Sequence, residues 1–570
     1  MANYRSAGGQ PGRPDGFDSA FHRIENAIDP HVEVSHAPAG YRVDWDVPVV
    51  VRDGTTLRVN VFHPGGGGPA PVIMSAHPYG KDKIPARTRS GHGVNFQYHL
   101  FPQPEPVRIS EWTNWEAPDP AFWLPRGFAV VNADMRGAGT SDGVGDLLSE
   151  QEALDYYDLI EWAAAQSWCN GKVGLDGVSY LALSQYRVAA LRPPHLAAIC
   201  PWEGFSDIYR DWVRPGGVRE EGFSVIWSKV TNRVARLRTD VHKEITDRSE
   251  RDEWYASVTP RLEDIEAPML VCGSFSDHSL HTRGSFEAFR RAGSARKWLY
   301  THRDGKWSHY YSEEASATRA RFFEHFLMGA DNGWADVPPV RLAIHEAGPA
   351  PAAVVHEAQW PPADLRWTPL ALDFSQNALL LGTESAPAES SARFAAAHGM
   401  ASLSWTAPHD MDIIGPMALR VFVELDGADD ITLMTGLRKF RGEDETVFEG
   451  SYGFAYDMVS KGWQRAAFRA LDPELATREL PVHTFRDPQP VQPGEIVPVD
   501  IELRPHATRL RSGDRLRLDI RGSWHYPRGP IRGQFPAWYE SSRQGHCILH
   551  SGGARNSHLW LGWRPFTGQD

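Results

Sequence analysis

The sequence predicts an α/β domain with a mostly parallel sheet, followed by a domain made of β-strands alone. Short continuous apolar runs recur through the first 335 residues, and helical patterns separate several of them. Such runs suit strands that are buried on both faces of a parallel sheet, and their alternation with helices is typical of right-handed βαβ units. After about residue 335 the helical patterns end and alternating strand patterns begin. A chain of 570 residues is long enough for two or three domains.

Individual elements follow from local patterns. Asp53 and Gly54 lie between two apolar segments, which predicts a hairpin. Ser149 begins a Ser-Glu-Gln-Glu capping box and predicts the start of a helix. Helical patterns also predict helices over 180–192, 282–292 and 314–328. The continuous apolar runs predict buried strands at 71–76, 128–133, 172–177, 196–200, 268–272 and 297–301.

Shifts in composition divide the chain further. Residues 84–123 form an aromatic-rich insertion, and charged helical sequence at 203–262 separates two predicted sheet strands. An insertion at that place would cover the carboxyl ends of the strands. We expect a flexible arm at 1–40, an α/β core at 41–202 and 263–335, a helical cap at 203–262, and a jelly-roll β-sandwich at 336–570.

The composition argues against several classes of partner. A formal charge of -13 with scattered basic residues disfavours binding to nucleic acid or to an anionic membrane. No segment approaches the roughly 18 consecutive apolar residues that span a bilayer, and the start has no secretory apolar region. The four cysteines lack metal-type spacing and predict buried free thiols. We expect a cytoplasmic protein without metal or cofactor, and a homo-oligomer stays open.

The strongest local signal for chemistry is Gly177-Val178-Ser179-Tyr180. A strand pattern precedes Ser179 and a helical pattern follows it, so this serine is either an exposed nucleophile at a strand-to-helix turn or a helix N-cap. We favour the nucleophile, because small residues in the following helix suit close packing on a sheet. The full motif is Gly-x-Ser-x-Gly, and Leu181 stands at its second glycine. A serine hydroxyl needs a base and an orienting acid, which follow it in the order acid, then histidine, in the α/β-hydrolase fold.

The acid and the base are predicted from their places after late strands. Asp277 follows the strand 268–272 in a Gly-Ser loop and is the expected acid. His302 comes directly after the strand 297–301 and is the preferred base, with His309 as the alternative. The backbone N–H of Tyr180 is one expected oxyanion donor. The second is the neutral hydroxyl of Tyr79, which on the residues alone is as readily a core aromatic.

Seven motifs together resemble one enzyme family. They are VVVRDGTTLRVNVFHP, PYGKDK, VNADMRGAGTSDG, GLDGVSYLALSQY, GSFSDHS, TAPHDMDIIGPMALRVFV and SGDRLRLDI. The set, spread over about residues 43–565, resembles the X-Pro dipeptidyl-peptidase and cocaine esterase superfamily (CocE/NonD hydrolases, peptidase family S15). The resemblance implies an α/β-hydrolase core, a helical cap and a C-terminal jelly roll, with no metal or cofactor. It implies Tyr79 as oxyanion donor, Ser179 as nucleophile and Asp277 as acid, and its ungapped match for the histidine is His302.

The expected activity is that of a serine hydrolase acting on a small-molecule ester through an acyl-enzyme. Ser279 and Leu280 stand where relatives resembling α-amino-ester hydrolases carry carboxylates, which argues against a cationic amino-acyl substrate. Aromatic residues near the strand ends suggest a pocket for a neutral apolar or aryl acyl group, although packing of the cap on the core explains them equally well: Trp112, Trp115, Trp202 and Phe205. Two alternatives stay open, an Xaa-Pro dipeptidyl-peptidase or other amidase of the same family, and a non-catalytic binding protein on a hydrolase fold.

Overall fold

A computed structural model describes residues 23–89, 91–382, 388–450, 457–526 and 537–566. The first 22 residues of the predicted N-terminal arm therefore lie outside the described residues. The rest of that arm includes the strand Val32–Ser35, which pairs in parallel with Val107–Ser110 from the aromatic-rich insertion. Within the described ranges, no helix is both long enough and apolar enough to cross a membrane.

Ten strands form the sheet of the first domain. Seven neighbouring strands, β3 to β9, are parallel, and the strands at both margins pair antiparallel. The strand order is β10-β9-β8-β7-β6-β5-β3-β4-β2-β1. The strands are β1 Arg42–Val50, β2 Thr56–His63, β3 Ala70–His77, β4 Ala129–Asp134, β5 Cys169–Val178, β6 Leu196–Trp202, β7 Met269–Ser274, β8 Lys297–His302, β9 Val340–Ile344 and β10 Ala353–Glu357.

The core sheet continues beyond the boundary predicted at residue 335. Strand β9 adds to β8 in parallel, and β10 pairs antiparallel with β9. Both strands are short. Only one face of β10 is sheltered, so its residues alternate in burial and resemble the pattern expected for the second domain. Hydrogen bonds from β9 to β8 and from β10 to β9 assign both strands to the first domain. A local sequence pattern does not reveal such pairing.

Helices cover the sheet because their sequences combine capping residues with one apolar face. The hydroxyl of Ser149 accepts a hydrogen bond from the N–H of Glu152, as the capping box predicts. Helix α8 follows the loop after β7, and helix α9 follows the loop after β8. The α-helices are α1 Phe96–Leu100, α2 Pro120–Trp123, α3 Glu150–Ala164, α4 Tyr180–Ala189, α5 Phe223–Val234, α6 Val241–Asp247, α7 Glu253–Ser257, α8 Thr282–Arg291, α9 Lys306–Tyr310 and α10 Glu313–Phe323.

The segment predicted as a cap, 203–262, is helical throughout much of its length. It begins with a π-helical turn, Ile208–Val213, and continues through α5, α6 and α7. The Asp207 carboxylate accepts the first N–H groups of that turn and also pairs with Arg210 and Arg251. Charged residues in this segment therefore hold its own turns together.

The second domain is all-β and packs around a separate apolar core. Its junction with the first domain is buried, and the Arg303 guanidinium donates there to the carbonyls of Glu449, Met458 and Val459. The α/β-hydrolase core with a C-terminal all-β domain is thus confirmed. Its strands are Arg366–Asp373, Ala378–Leu381, Ser390–Ala395, Met400–Thr406, Met411–Asp426, Thr432–Arg441, Asp444–Thr446, Ser460–Arg465, Val497–Leu510, Arg515–Arg521, His546–Ser551 and His558–Pro565.

Candidate active site

Ser179 occupies a strained turn between β5 and α4. Its backbone has φ 63° and ψ −116°, a conformation that costs on the order of 1–3 kcal/mol and is found where the surroundings enforce it. The N–H of Ser179 donates to the carbonyl of Trp202 at 3.1 Å, which fixes the turn to β6. A Cβ on Gly177 would lie 2.6 Å from Cβ of Leu181. Gly177 therefore provides the space that Leu181 takes at the motif's second glycine position.

His281 is the histidine that hydrogen-bonds the Ser179 hydroxyl. Its Nε2 lies 3.1 Å from Oγ of Ser179, and its Nδ1 lies 2.5 Å from Oδ2 of Asp277. The N–H of His281 donates to the carbonyl of Asp277, so one helical turn after β7 carries both side chains. The ring of Phe205 stacks on the imidazole with centroids 6.0 Å apart. Two hydrogen bonds therefore link a nucleophile, a base and an orienting acid.

The structure places His302 elsewhere, which corrects the predicted base. Its Nε2 donates to Oε1 of Glu203 at 3.0 Å, while its Nδ1 accepts the N–H of Asp304. His309, the alternative, stacks on His302 at 4.0 Å and lies 3.0 Å from the hydroxyl of Tyr300. The physical reason is topological: β8 lies one strand further from Ser179 than β7, and α9 folds His309 back onto His302.

Lys306 adds a cation that the sequence did not reveal as part of the site. Its Nζ lies 2.8 Å from Oδ2 of Asp277 and 2.8 Å from Nδ1 of His281. Burial tends to raise the pKa of Asp277, but the charge of Lys306 and the hydrogen bonds from His281 and Lys306 outweigh burial and hold that pKa below its ordinary value. Burial and then the charge of Lys306 lower the pKa of His281, so the imidazole stays neutral and able to accept a proton.

The residues expected to donate to an oxyanion are Tyr79 and, at the start of α4, Tyr180. The indole N–H of Trp227, from helix α5, donates to the Tyr79 hydroxyl oxygen at 2.9 Å. Burial, together with the Glu116 charge, raises the pKa of Tyr79 well above its ordinary value, so the hydroxyl keeps its proton. Since the oxygen already accepts a bond, that proton is available to another acceptor. The Tyr180 N–H belongs to the first turn of α4, where backbone donors have no intrahelical partner.

Three buried glutamates near the site keep their protons to higher pH than exposed glutamates do. Burial raises the pKa of Glu116, Glu152 and Glu203 to about 7 in each case. Glu152 accepts the hydroxyl of Tyr180 at 2.8 Å, and Glu116 accepts the indole N–H of Trp307 at 3.0 Å. The site is therefore low in dielectric, and a charge that develops there interacts strongly with its fixed dipoles.

The four aromatic residues predicted for a substrate pocket occupy different places. Phe205 stacks on His281, and Trp115 lines a cavity that also contains Tyr79. Trp202 lies beneath the site, where its carbonyl holds Ser179. Trp112 packs against Phe62 with ring centroids 5.5 Å apart. The structure thus brings Phe205 and Trp115 to the site or its cavity and uses the other two as supports.

Among the residues that the structure describes, one group of metal-type ligands occurs, and it lies outside the site. Atoms of His36, His92 and Glu111 lie within 4.8 Å of one another. The Arg87 guanidinium donates to both oxygens of Glu111, at 2.6 and 2.9 Å, and the N–H of Ala37 donates to the second. An arginine cation already neutralises this carboxylate, so the group is a network of charged hydrogen bonds. All four cysteines are buried and unpaired.

Fold and site together define a serine-type hydrolase of the α/β-hydrolase class. A family model described as X-Pro dipeptidyl-peptidase (S15 family) matches residues 53–239. A second, described as the X-Pro dipeptidyl-peptidase C-terminal non-catalytic domain, matches residues 332–560. The chain belongs to the CocE/NonD family of hydrolases, because a member from Staphylococcus aureus is 31% identical to it and the match covers 94% of this chain and 99% of that one, with a TM-score of 0.86.

Two further similarities are more distant. The cocaine esterase of a Rhodococcus species is 27% identical over 397 residues, which are 58% of this chain and 62% of that enzyme. An aminopeptidase from the marine sediment archaeon Thaumarchaeota archaeon is 13% identical, with a TM-score of 0.67 and coverage of 94% of this chain and 99% of that one. The second likeness concerns the fold alone.

Proposed function

We propose that this protein is an acyl esterase that works through a covalent acyl-enzyme on Ser179. The observation that carries the proposal is the hydrogen-bonded chain from Ser179 through His281 to Asp277. It contains the three groups that acyl transfer needs, within hydrogen-bond distance of one another, with Asp277 and His281 buried and Ser179 partly exposed. The serine-type hydrolase class of the family supports it.

In the first half-reaction the Ser179 oxygen attacks the ester carbonyl while its proton passes to Nε2 of His281. Asp277 holds the imidazole through Nδ1–H, which leaves Nε2 as the acceptor. The Tyr79 hydroxyl and the Tyr180 N–H stabilise the carbonyl oxygen as it becomes negative. When the tetrahedral intermediate collapses, His281 gives its proton to the departing alkoxide, and the acyl group stays on Ser179.

In the second half-reaction water repeats the sequence. His281 takes a proton from water as the water oxygen attacks the acyl-enzyme, and it returns the proton to the Ser179 oxygen on release of the carboxylic acid. Lys306 supports both halves, because its contact with Asp277 keeps the carboxylate ionised while the imidazole gains and loses charge. Both half-reactions balance in atoms and protons with these side chains, the Tyr180 N–H and one water molecule.

An Xaa-Pro dipeptidyl-peptidase is the second candidate, and the description of the matching family model favours it. Such an activity needs an anionic anchor for a free amino terminus. The cavity that shares Tyr79 has no aspartate or glutamate among its lining residues. Assays of a Gly-Pro p-nitroanilide, its N-acetylated form and a p-nitrophenyl ester separate the candidates. A peptidase would favour the anilide with a free amine over the N-acetylated anilide, and an esterase would favour the ester.

Four variants test the proposed site on a panel of p-nitrophenyl acyl esters. We expect Ser179→Ala and His281→Gln to lower kcat by about 10,000-fold or more. His302→Gln and His309→Gln are matched controls and should keep kcat within about tenfold of wild type, with folding checked by circular dichroism. Activity retained in His281→Gln but lost in either control would move the base to that control residue. Labelling of Ser179 by a fluorophosphonate tests the non-catalytic alternative, which predicts no adduct.

A further inference from the structure

A cavity of about 300 Å³ opens on the side of Tyr79 that faces the aromatic-rich insertion. Tyr79 and Trp115 form one wall, and Val230 of helix α5 contributes to another. The volume is at the lower end of the range for small-molecule sites, and most of the lining is apolar. Tyr79 belongs both to the proposed oxyanion hole and to the lining of this cavity, so the cavity borders the proposed site.

Lys83 provides the single formal charge among the lining residues of this cavity. Its N–H donates to the carbonyl of Gly80 at 3.1 Å, so a tight turn brings it back beside Tyr79. Carbon atoms of its side chain lie 3.5 Å from where a Cβ on Gly80 would stand, so its stem follows the Tyr79–Gly80 backbone. The amide of Asn114 donates to the carbonyls of Gly80 and Lys81 and fixes this loop.

Lys83 differs from Lys81 in its partners, because among the described residues its ammonium group has no carboxylate at ion-pair distance. The ammonium of Lys81 is fully buried and contacts Asp46 and Asp82 at 2.8 Å each. In the part of the chain that the structure describes, the Lys83 ammonium forms neither an ion pair nor a hydrogen bond with a side chain. The Lys83 side chain is exposed at its surface, but neighbouring protein atoms remove part of the water around its amine and lower its pKa, and the charge of Asp134 opposes this shift only in part. An anion that entered the cavity would supply the missing partner.

We infer that the substrate carries a carboxylate on the apolar group that fills this cavity, and that Lys83 pairs with it. The inference rests on the proposed function and names its substrate class: esters whose acyl or alcohol part ends in a carboxylate. An apolar wall and one terminal cation suit a short hydrocarbon chain that bears one anion. The same cavity disfavours a substrate ammonium group, because its lining offers that group the like charge of Lys83 and no carboxylate.

The test compares esters that differ only in charge. The acyl arm uses p-nitrophenyl hemiesters of glutarate, adipate and suberate, each beside its neutral methyl diester. The alcohol arm uses the butyrate ester of 4-hydroxybenzoate beside that of its methyl ester. We expect wild type to prefer the carboxylate member in one arm by about tenfold in kcat/KM. Lys83→Met should remove that preference by lowering kcat/KM for the carboxylate member, and Lys83→Glu should invert it.

Lys229→Met is the matched control, because Lys229 is an exposed lysine of helix α5 outside the cavity lining. It removes the same charge and should keep the preference. Equal kcat/KM for charged and neutral members in both arms, or equal losses in Lys83→Met and Lys229→Met, would overturn the inference and leave the esterase proposal standing. Calorimetric binding of the hemiesters to Ser179→Ala gives a readout without turnover. If the hemiesters bind in a Lys83-dependent way while the wild type cleaves no ester, the esterase proposal alone is refuted.

Discussion

The indole N–H of Trp227 donates to the hydroxyl oxygen of Tyr79 at 2.9 Å. This bond joins helix α5 of the 203–262 segment to the loop after β3. It also sets the direction of the Tyr79 proton, because a hydroxyl whose oxygen accepts from one side donates towards another. Helix α5 of the 203–262 segment therefore orients a proposed oxyanion donor.

Tyr79→Phe should lower kcat by about 100–1000-fold with a small change in KM, as expected for the loss of one oxyanion donor. Trp227→Phe keeps the ring but removes the N–H, and we expect a loss of about tenfold in kcat. Steady-state kinetics of both single variants and the double variant measures their coupling. In the Tyr79→Phe background the tryptophan change should have little further effect on kcat. Fully additive losses would contradict an action of Trp227 through Tyr79.

The charge of Lys306 should set the pH at which hydrolysis begins. The pKa of His281 is lowered by burial and by Lys306, and only the neutral imidazole accepts the Ser179 proton. Lys306→Met removes the repelling cation, so the pKa of His281 rises and the acidic limb of the kcat/KM profile moves to higher pH. Lys306→Arg keeps the charge and serves as the control, with its limb near that of wild type. A shift to lower pH in Lys306→Met would contradict this electrostatic role.

Glu152 should make stability depend on pH. Its pKa is about 7 in the folded protein against 4.5 for the free side chain, so the folded state binds the extra proton between these values. Stability therefore falls as pH rises from about 4.5 to about 7, and the loss is complete above that. Glu152→Gln can still accept the Tyr180 hydroxyl and should raise the free energy of unfolding at pH 8 by about 1–3 kcal/mol, with little change at pH 4.

Urea unfolding of Glu152→Gln at these two pH values makes the measurement. Glu150→Gln, an exposed residue in the same helical turn, is the control and should leave the pH dependence as in wild type. An equal gain at pH 4 and pH 8 would show that the effect comes from packing and not from the proton.

Close packing behind Ser179 should couple Gly204 to Ala182. A Cβ on Gly204 would lie 2.7 Å from Cβ of Ala182 and 3.3 Å from the ring of Tyr186. Gly204→Ala should destabilise the protein by about 1–3 kcal/mol. Ala182→Gly costs about 1 kcal/mol as a glycine inside a helix. The double variant should lose less than the sum, because one methyl replaces the other. Thermal unfolding of the three variants tests this, and strict additivity would rule out the contact.

Much of the core could be predicted because its strands are buried on both faces. Such strands are continuous apolar runs, and the runs predicted at 71–76 and 297–301 correspond to Ala70–His77 and Lys297–His302. The helix over 282–292 likewise corresponds to Thr282–Arg291. Ser179 stood out because a glycine, a strand and a helix surround it. The extra sheet strands β9 and β10 were missed, since membership in a sheet depends on hydrogen bonds to distant residues.

The histidine of the hydrogen-bonded chain was missed for a different reason. The usual order places the histidine after the strand that follows the acid, and this directed attention to His302 and His309. A local signal was present: Asp277 and His281 are four residues apart, a spacing that brings two side chains together on one helical turn. Lys306 gave no local signal, because its partners lie 25 and 29 positions earlier and only the folded loops bring them together.

The turn that holds Asp277 and His281 has a consequence for how this site can change. Five consecutive residues carry the acid and the histidine. The distance between the two side chains therefore depends on the local backbone and not on the positions of neighbouring strands. The segment between His302 and His309 then contributes only Lys306 to this chain of contacts. Insertions or deletions in that segment would leave Asp277 and His281 together. The five residues that carry the pair could be transferred to another scaffold as one short segment.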